Sequence, residues 1–382
     1  MSQDHNAAWT DPEDMPVQLV RSPQDVRRPR EGEAPAPPAS SEPKNDQISP
    51  SRSVPPPPPR AAEFSDDYML RRRSERPSSG WQRVLYDLSG GLVNVGPSRA
   101  ELEERELVAR VKSPVRGCRR IAVISRKGGV GKTTTTLCLG HTFASYRGDR
   151  VVALDGNPDA GSLGYRVRRE TTSTVTDLLR EADEIDRYSD VRAFTSQAPT
   201  RLEVVASDDD PRITRALQED DYRRVSELLE HHYNLILLDT GTGILDSATR
   251  GILDLADQLV VVMAPSLDGA RAASLTLDWL EEHDYNGLVS GAVAVVNAVR
   301  PKDTLVELGR VEEHFNLRCR DVVRIPWDPH LEAGAETHPE DMRSATRSAY
   351  LRLAASVAEG FPGRSTTTRT KEEAVDRKVV LS

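Results

Sequence analysis

The stretch "ISRKGGVGKTTTT", Ile124 to Thr136, decides how the rest of the chain is read. It runs from the end of an apolar segment through glycines into a run of threonines, the succession expected of a strand, a loop and a helix start. Glycines at 128, 129 and 131 leave no Cβ between the backbone and an incoming anion. The N–H groups of Gly128, Gly129, Val130, Gly131 and Lys132 would point inward around β- and γ-phosphates, at the positive end of the following helix. Lys132 supplies charge, Thr133 a hydroxyl for Mg²⁺, and Thr134 reaches toward the α-phosphate. The ordinary phosphate-loop pattern G-x-x-x-x-G-K-[ST] puts a glycine where this chain has Arg126, and a second lysine, Lys127, opens the loop instead.

Outward from the loop, apolar strands alternate with amphipathic helices from Arg119 onward. That alternation predicts an α/β domain over about 113–362, a doubly wound and mostly parallel sheet buried on both faces. Strands are expected over 119–125, 150–155, 202–207, 234–239, 258–264, 291–297 and 321–326. A last helix over about 341–359 carries Tyr350, Leu353 and Val357 on one face.

The ends read differently. The first sixty residues hold 14 of the 26 prolines and one aromatic residue, Trp9, too little apolar surface to offset chain entropy. Residues 1–79 are therefore expected to be a disordered Pro-rich arm, either a plain spacer or a docking segment. Residues 80–112 are expected to form a helical collar in two pieces. Trp81, Val84, Leu85 and Leu88 line the first, which ends at Gly90-Gly91. Ser98 and Glu101 open the second as a capping box, with Leu102, Leu107, Val108 and Val111 as its inward stripe. Residues 363–382 turn polar again.

The net charge of −9 argues against a surface built wholly for nucleic acid. Cys118, Cys138 and Cys319 have no C-x-x-C spacing, which fits unpaired thiols. No run of signal-peptide or membrane-spanning length occurs, so a soluble, cytoplasmic protein is expected, with no stable membrane insertion.

K-G-G-x-G-K-[ST] resembles the deviant Walker A box of the MinD/ParA family of dimeric ATPases, and the likeness extends over about Arg119 to Phe361. The resemblance implies ATP and Mg²⁺ as cofactors and a homodimer when ATP is bound, with Lys127 reaching across the two-fold interface to the partner's phosphates. A cation supplied in trans is chemically reasonable there, as an arginine finger is. It also implies that Asp239, ending "NLILLD", holds Mg²⁺ through water with Thr240 to Gly243 as a switch, and that Asn297 reads the adenine edge beside Pro326 and Asp328. Family members carry D-x-D after the second strand, where this chain has Asp155 and then Asn157. An amide holds water but cannot take a proton as a carboxylate does, so hydrolysis should be weak unless Asp159 substitutes.

More widely, "GWQRVLYDLSGGLVNVGPS", "APSLDGARAASLTLDWL" and "IPWDPHLEAGAE" resemble an actinobacterial branch associated with type VII (ESX) secretion, the EspI-like group. The expected role is a cytosolic accessory or regulator of that secretion. A non-hydrolysing, nucleotide-sensing scaffold and a ParA-type DNA-positioning ATPase stay open as alternatives. The second would use basic residues such as Arg343, Arg347 and Arg352. The tail "KEEAVDRKVVLS" lacks aromatic anchors and balances acids with bases, unlike a membrane-targeting helix.

Overall fold

Runs of valine, leucine and isoleucine with no polar alternation form strands only where both faces are covered, and that is how they are used here. The computed structural model describes residues 87–89, 96–157, 161–208, 210, 212, 217–243, 247–300 and 306–361. The expectations for the Pro-rich arm, for Trp81 to Leu85, for Asp159 and for the polar tail lie outside them. Among the described residues eight strands make one sheet: β1 (Arg119–Ile124), β2 (Val151–Gly156), β3 (Ser196–Gln197), β4 (Leu202–Val205), β5 (Leu235–Thr240), β6 (Gln258–Met263), β7 (Val293–Val299) and β8 (Asp321–Pro326). Their order is β3-β4-β2-β5-β1-β6-β7-β8, and every neighbouring pair is parallel except β3 with β4.

Seven of these strands coincide with the expected segments to within two residues at most ends. β3 was not anticipated. It has two residues and no apolar period, and it exists because the turn before β4, with Arg201 at φ 75°, folds Ser196 and Gln197 back beside Val204 and Glu203.

Alternate residues of the central strands feed two separate cores. Ile121, Val123, Ala153, Leu237, Val260 and Val295 meet the helices Lys132–Tyr146 and Ser344–Ala358 on one face. Ala122, Leu154, Leu238, Val261 and Ala294 meet the helices Glu219–Glu230, Ser247–Leu255 and Leu267–Glu282 on the other. Burying each such valine, leucine or isoleucine contributes about 1.5–3 kcal/mol before the cost of lost entropy. Tyr350, Leu353 and Val357 are buried, as the last helix's pattern predicts.

The second collar helix, Arg99–Val111, begins at Ser98, whose Oγ accepts from Glu101 N at 3.2 Å. Leu107 and Val111 are buried and Val108 is half-buried, but two expected inward leucines are not. Leu102 is 50% exposed, because at ~100° per residue it falls nearly opposite the Leu107–Val111 stripe. Leu88 is 81% exposed, so it packs on nothing among the described residues. The collar is locked by Arg147, which donates through Nη1 to the carbonyls of Val111 and Ser113 (2.5 and 2.7 Å) while its Nη2 pairs with Asp149. The three thiols are free, with Cys138 and Cys319 buried. Among the described residues no helix is long and apolar enough to cross a membrane.

Candidate functional site

β1 is central in the sheet and ends against β5 and β6, so the loop leaving it opens at the carboxyl edge, where ligands of open α/β sheets bind. The loop's shape is set by two left-handed glycines, Gly129 (φ 72°) and Gly131 (φ 89°). Gly131 is the tighter. A Cβ on it would sit 2.0 Å from Asn297 Nδ2, so neither the backbone angle nor the space admits a side chain. Ser125 Oγ closes the loop's entry by accepting from Lys127 N at 3.2 Å.

Two strand ends place carboxylates behind the loop. β5 runs beside β1 in register, Val123 opposite Asp239, and β2 runs beside β5 with Asp155 opposite Asp239. Asp239 is buried; its Oδ1 accepts from Thr136 Oγ1 at 3.1 Å and lies 3.9 Å from Lys132 Nζ. Its Oδ2 is buried with no hydrogen-bond partner among the described residues. Burial pushes the Asp239 carboxyl above its usual range, against the opposing charge of Lys132. Asp155 is raised too, first by burial and then by the charge of Asp239. Its oxygens accept from Asn157 N (3.2 Å) and Leu163 N (3.1 Å), and a Cβ on Gly161 would fall 1.9 Å from Oδ2.

A cleft of about 540 Å³ opens at the loop. Lys127, Gly128, Gly129, Val130, Gly131, Lys132, Thr133, Thr134, Asn157, Asn297, Pro326 and Asp328 all line it. Asp155 and Asp239, both buried, are not among its lining residues.

The far wall is made of side chains. Asn297 is buried near the end of β7, where a bulge between Val296 and Val299 and a left-handed Ala298 (φ 56°) turn the strand. Its Nδ2 donates to Val130 O at 2.8 Å, which ties the wall to the loop. Asp328 caps the short helix Pro329–Glu332 by accepting from His330 N (3.0 Å), and its other oxygen accepts from Arg343 N (2.8 Å). Between them stands Trp327, with the Arg300 guanidinium 4.7 Å and the Arg343 guanidinium 5.1 Å from its ring centre. Arg300 also pairs with Glu332 at 2.6 Å.

Sequence reasoning missed Trp327, Arg300 and Arg166 as lining residues. Trp327 had a local signal, since it sits between Pro326 and Asp328; Arg166 had none. Of the arginines on and before the last helix, Arg343 covers Trp327, Arg347 donates to Met342 O, and Arg352 reaches Glu103 at 3.4 Å. All three are exposed, and each also makes a contact within the fold.

The residues present fit a nucleotide with a divalent cation. A glycine loop with two left-handed residues and no room for a Cβ at Gly131, a lysine within it and a buried carboxylate oxygen lacking a partner are what phosphates and a hard cation need. No cluster of three or more His, Cys, Asp or Glu occurs among the described residues, so a cation would depend on phosphate oxygens as well.

Known proteins agree with this geometry. A family model described as "AAA domain" matches residues 118–287. The ESX-1 secretion-associated protein EspI of Mycobacterium tuberculosis is 38% identical over 284 residues, 74% of this chain and 42% of EspI. The chain thus spans less than half the length of that curated relative. A ParA family ATPase from Chlorobium tepidum superposes with a TM-score of 0.54 at 19% identity, covering 62% of this chain and 98% of that one. The septum site-determining protein MinD from Pyrococcus horikoshii, complexed with Mg-ADP, gives 0.52 at 19% identity, covering 62% and 94%. Sheet order and these superpositions show that the chain has the fold of ParA and MinD structures, with a phosphate-type loop leaving its first strand, and over 74% of its length it is similar in sequence to EspI.

Proposed function

We propose that the protein binds ATP with Mg²⁺ in the cleft over the β1 loop and uses the nucleotide to control dimerisation, with weak hydrolysis, as a cytoplasmic accessory or regulator of type VII secretion. The observation that carries the reading is the pairing of Lys132 with Asp239 at a glycine loop, with Asp239 Oδ2 left without a partner among the described residues. Thr133 and Asp239 would hold the cation, which when bound neutralises phosphate charge. The loop amides and Lys132 orient the phosphates, and Asn297 and Pro326 border the base. Lys127 is exposed and makes no ion pair among the described residues, which suits a cation that works on a partner's nucleotide through a deviant Walker A loop. The secretion role rests on the likeness to EspI.

Calorimetry with MgATP tests the core of this. Wild type should bind, Lys132→Ala should not, and Lys127→Ala should bind yet fail to dimerise by light scattering. Equal affinity in Lys132→Ala and wild type would remove the reading.

A second reading is favoured by Asn157, an amide lining the cleft where a carboxylate would serve hydrolysis, and by Asp155, whose oxygens are turned into the fold. On this reading the protein is a nucleotide-sensing scaffold. Asn157→Asp separates the two. General-base assistance is worth ~10²–10⁴-fold, so even a partly aligned carboxylate should raise turnover measurably without changing ATP affinity. If neither wild type nor variant hydrolyses ATP, the scaffold is the better account.

A further inference from the structure

Arg166 has no role in any of the above, yet it is held with care. It ends the turn Leu163–Arg166, which starts where Leu163 N donates to Asp155 Oδ2. Val167 is buried in the core just beyond, and Thr337 N donates to Arg166 O at 2.8 Å. With its backbone fixed on both sides, the half-buried side chain reaches the β1 loop's helix, Nη1 donating to Thr134 Oγ1 at 3.2 Å. Its guanidinium lines the cleft with Thr134, Ser162 and Gly334.

Arg166 is half-buried at the cleft with no carboxylate at ion-pair distance among the described residues, and the opposing charge it acts on is the buried Asp239, whose carboxyl, raised by burial, it helps hold down from further off. Arg147 pairs with Asp149, Arg318 with Asp278 and Glu281, and Arg300 with Glu332. Arg166 makes no ion pair among the described residues, and the Thr134 hydroxyl satisfies one of its five N–H donors. Partial burial of an unpaired guanidinium is unfavourable unless an anion completes it. The anion this cleft is shaped for is a phosphate, and a planar fork suits phosphate oxygens.

We infer that Arg166 is a nucleotide-binding residue acting in cis, a phosphate clamp at the Thr134 end of the loop. The inference rests on the nucleotide reading of the cleft. Its partner Thr134 is the hydroxyl expected at the α-phosphate, so Arg166 serves the inner phosphates that ATP and ADP share. It is therefore a cation retained after γ-phosphate loss, in contrast to Lys127. Because the Arg166 turn hangs from Asp155 through Leu163, the clamp also ties the segment after β2 to the presence of nucleotide.

The test is calorimetry of the full chain with MgATP and MgADP, alongside melting of the nucleotide-free protein. In Arg166→Gln, which keeps a donor for Thr134 but removes the charge and the fork, both affinities should fall together by about tenfold to a hundredfold. The nucleotide-free melting temperature should hold, and Arg166→Lys should recover part of the loss. Unchanged affinity in Arg166→Gln, while Lys132→Ala abolishes binding, overturns the inference and leaves the nucleotide reading intact. A fall for ATP alone overturns it equally, since it would put the side chain at the γ-phosphate. Absence of binding in wild type removes both. Should Arg166→Gln fail to fold, Arg166→Lys carries the test: weaker binding of both nucleotides supports the clamp, and wild-type affinity or a second failure to fold overturns it in favour of a structural arginine.

Discussion

The two walls of the cleft are built by different means. The phosphate wall, Lys127 to Thr134, is contiguous backbone whose shape comes from glycines at positive φ. The far wall is assembled from Asn297, Arg300, Pro326, Trp327 and Asp328, side chains of separate segments that hydrogen-bond and stack on one another. A backbone-built wall fails all at once when a Cβ intrudes, whereas a side-chain wall loses one contact at a time. The two are joined by the Asn297 to Val130 hydrogen bond, so they are not independent.

The largest effect should come from Gly131→Ala. At φ 89° an L-residue costs ~1–2 kcal/mol from backbone crowding alone, and the added methyl must also displace Asn297 Nδ2 from 2.0 Å. ATP binding should be lost and the melting temperature should fall. Adding Asn297→Gly, which removes the obstructing amide, should return part of the stability but not the binding. Full recovery of binding in the double variant would show that the backbone angle matters less than the clash.

This contrast also explains what the sequence discloses. Lys132, Thr133 and the glycines are legible because a phosphate cradle is a local object, with every group within a few residues of the next. The sheet is legible for a related reason: β1, β2, β5, β6 and β7 are buried on both faces and so are apolar without alternation. Leu102 was misread because a helix boundary set by Ser98 fixes phase, and an apolar residue near the start can satisfy composition while missing the buried stripe. Arg166 and the stack of Arg300 and Arg343 on Trp327 were invisible, since their partners lie far off in sequence and an arginine carries no sign of which contact it will make.

A smaller effect is expected from Asn297→Ala. The change deletes the tie between the walls and leaves the Val130 carbonyl without its 2.8 Å donor, a loss of about 1–3 kcal/mol in chemical denaturation of the nucleotide-free protein. If stability is unchanged, the phosphate wall stands without its neighbour. If stability falls and ATP affinity falls further than the loss of fold accounts for, Asn297 serves both the loop and the base.

The smallest expected effect is on a slope, and it concerns the two buried carboxylates. The Asp155 carboxyl is raised from 3.8 to about 7, by burial first and the neighbouring Asp239 charge second. A carboxyl whose folded pKa lies above its unfolded value stabilises the fold fully below the unfolded value, and that contribution is lost as pH rises through the folded one. Nucleotide-free protein should therefore lose stability between about pH 4 and pH 7, since the folded state holds a proton there that the unfolded chain has given up. Asp155→Asn removes one titrating group from the pair. It should flatten that decline by a fraction of the ~1.4 kcal/mol per pH unit that a single proton carries, while Asp239, still buried and still raised, preserves the remainder. Denaturation midpoints at pH 5, 6 and 7 decide it. A variant with the wild-type slope would place the whole titration on Asp239, making the carboxylate beside Lys132 the protonated member of the pair in the empty cleft and Asp155 a fixed charge held by the amides of Asn157 and Leu163.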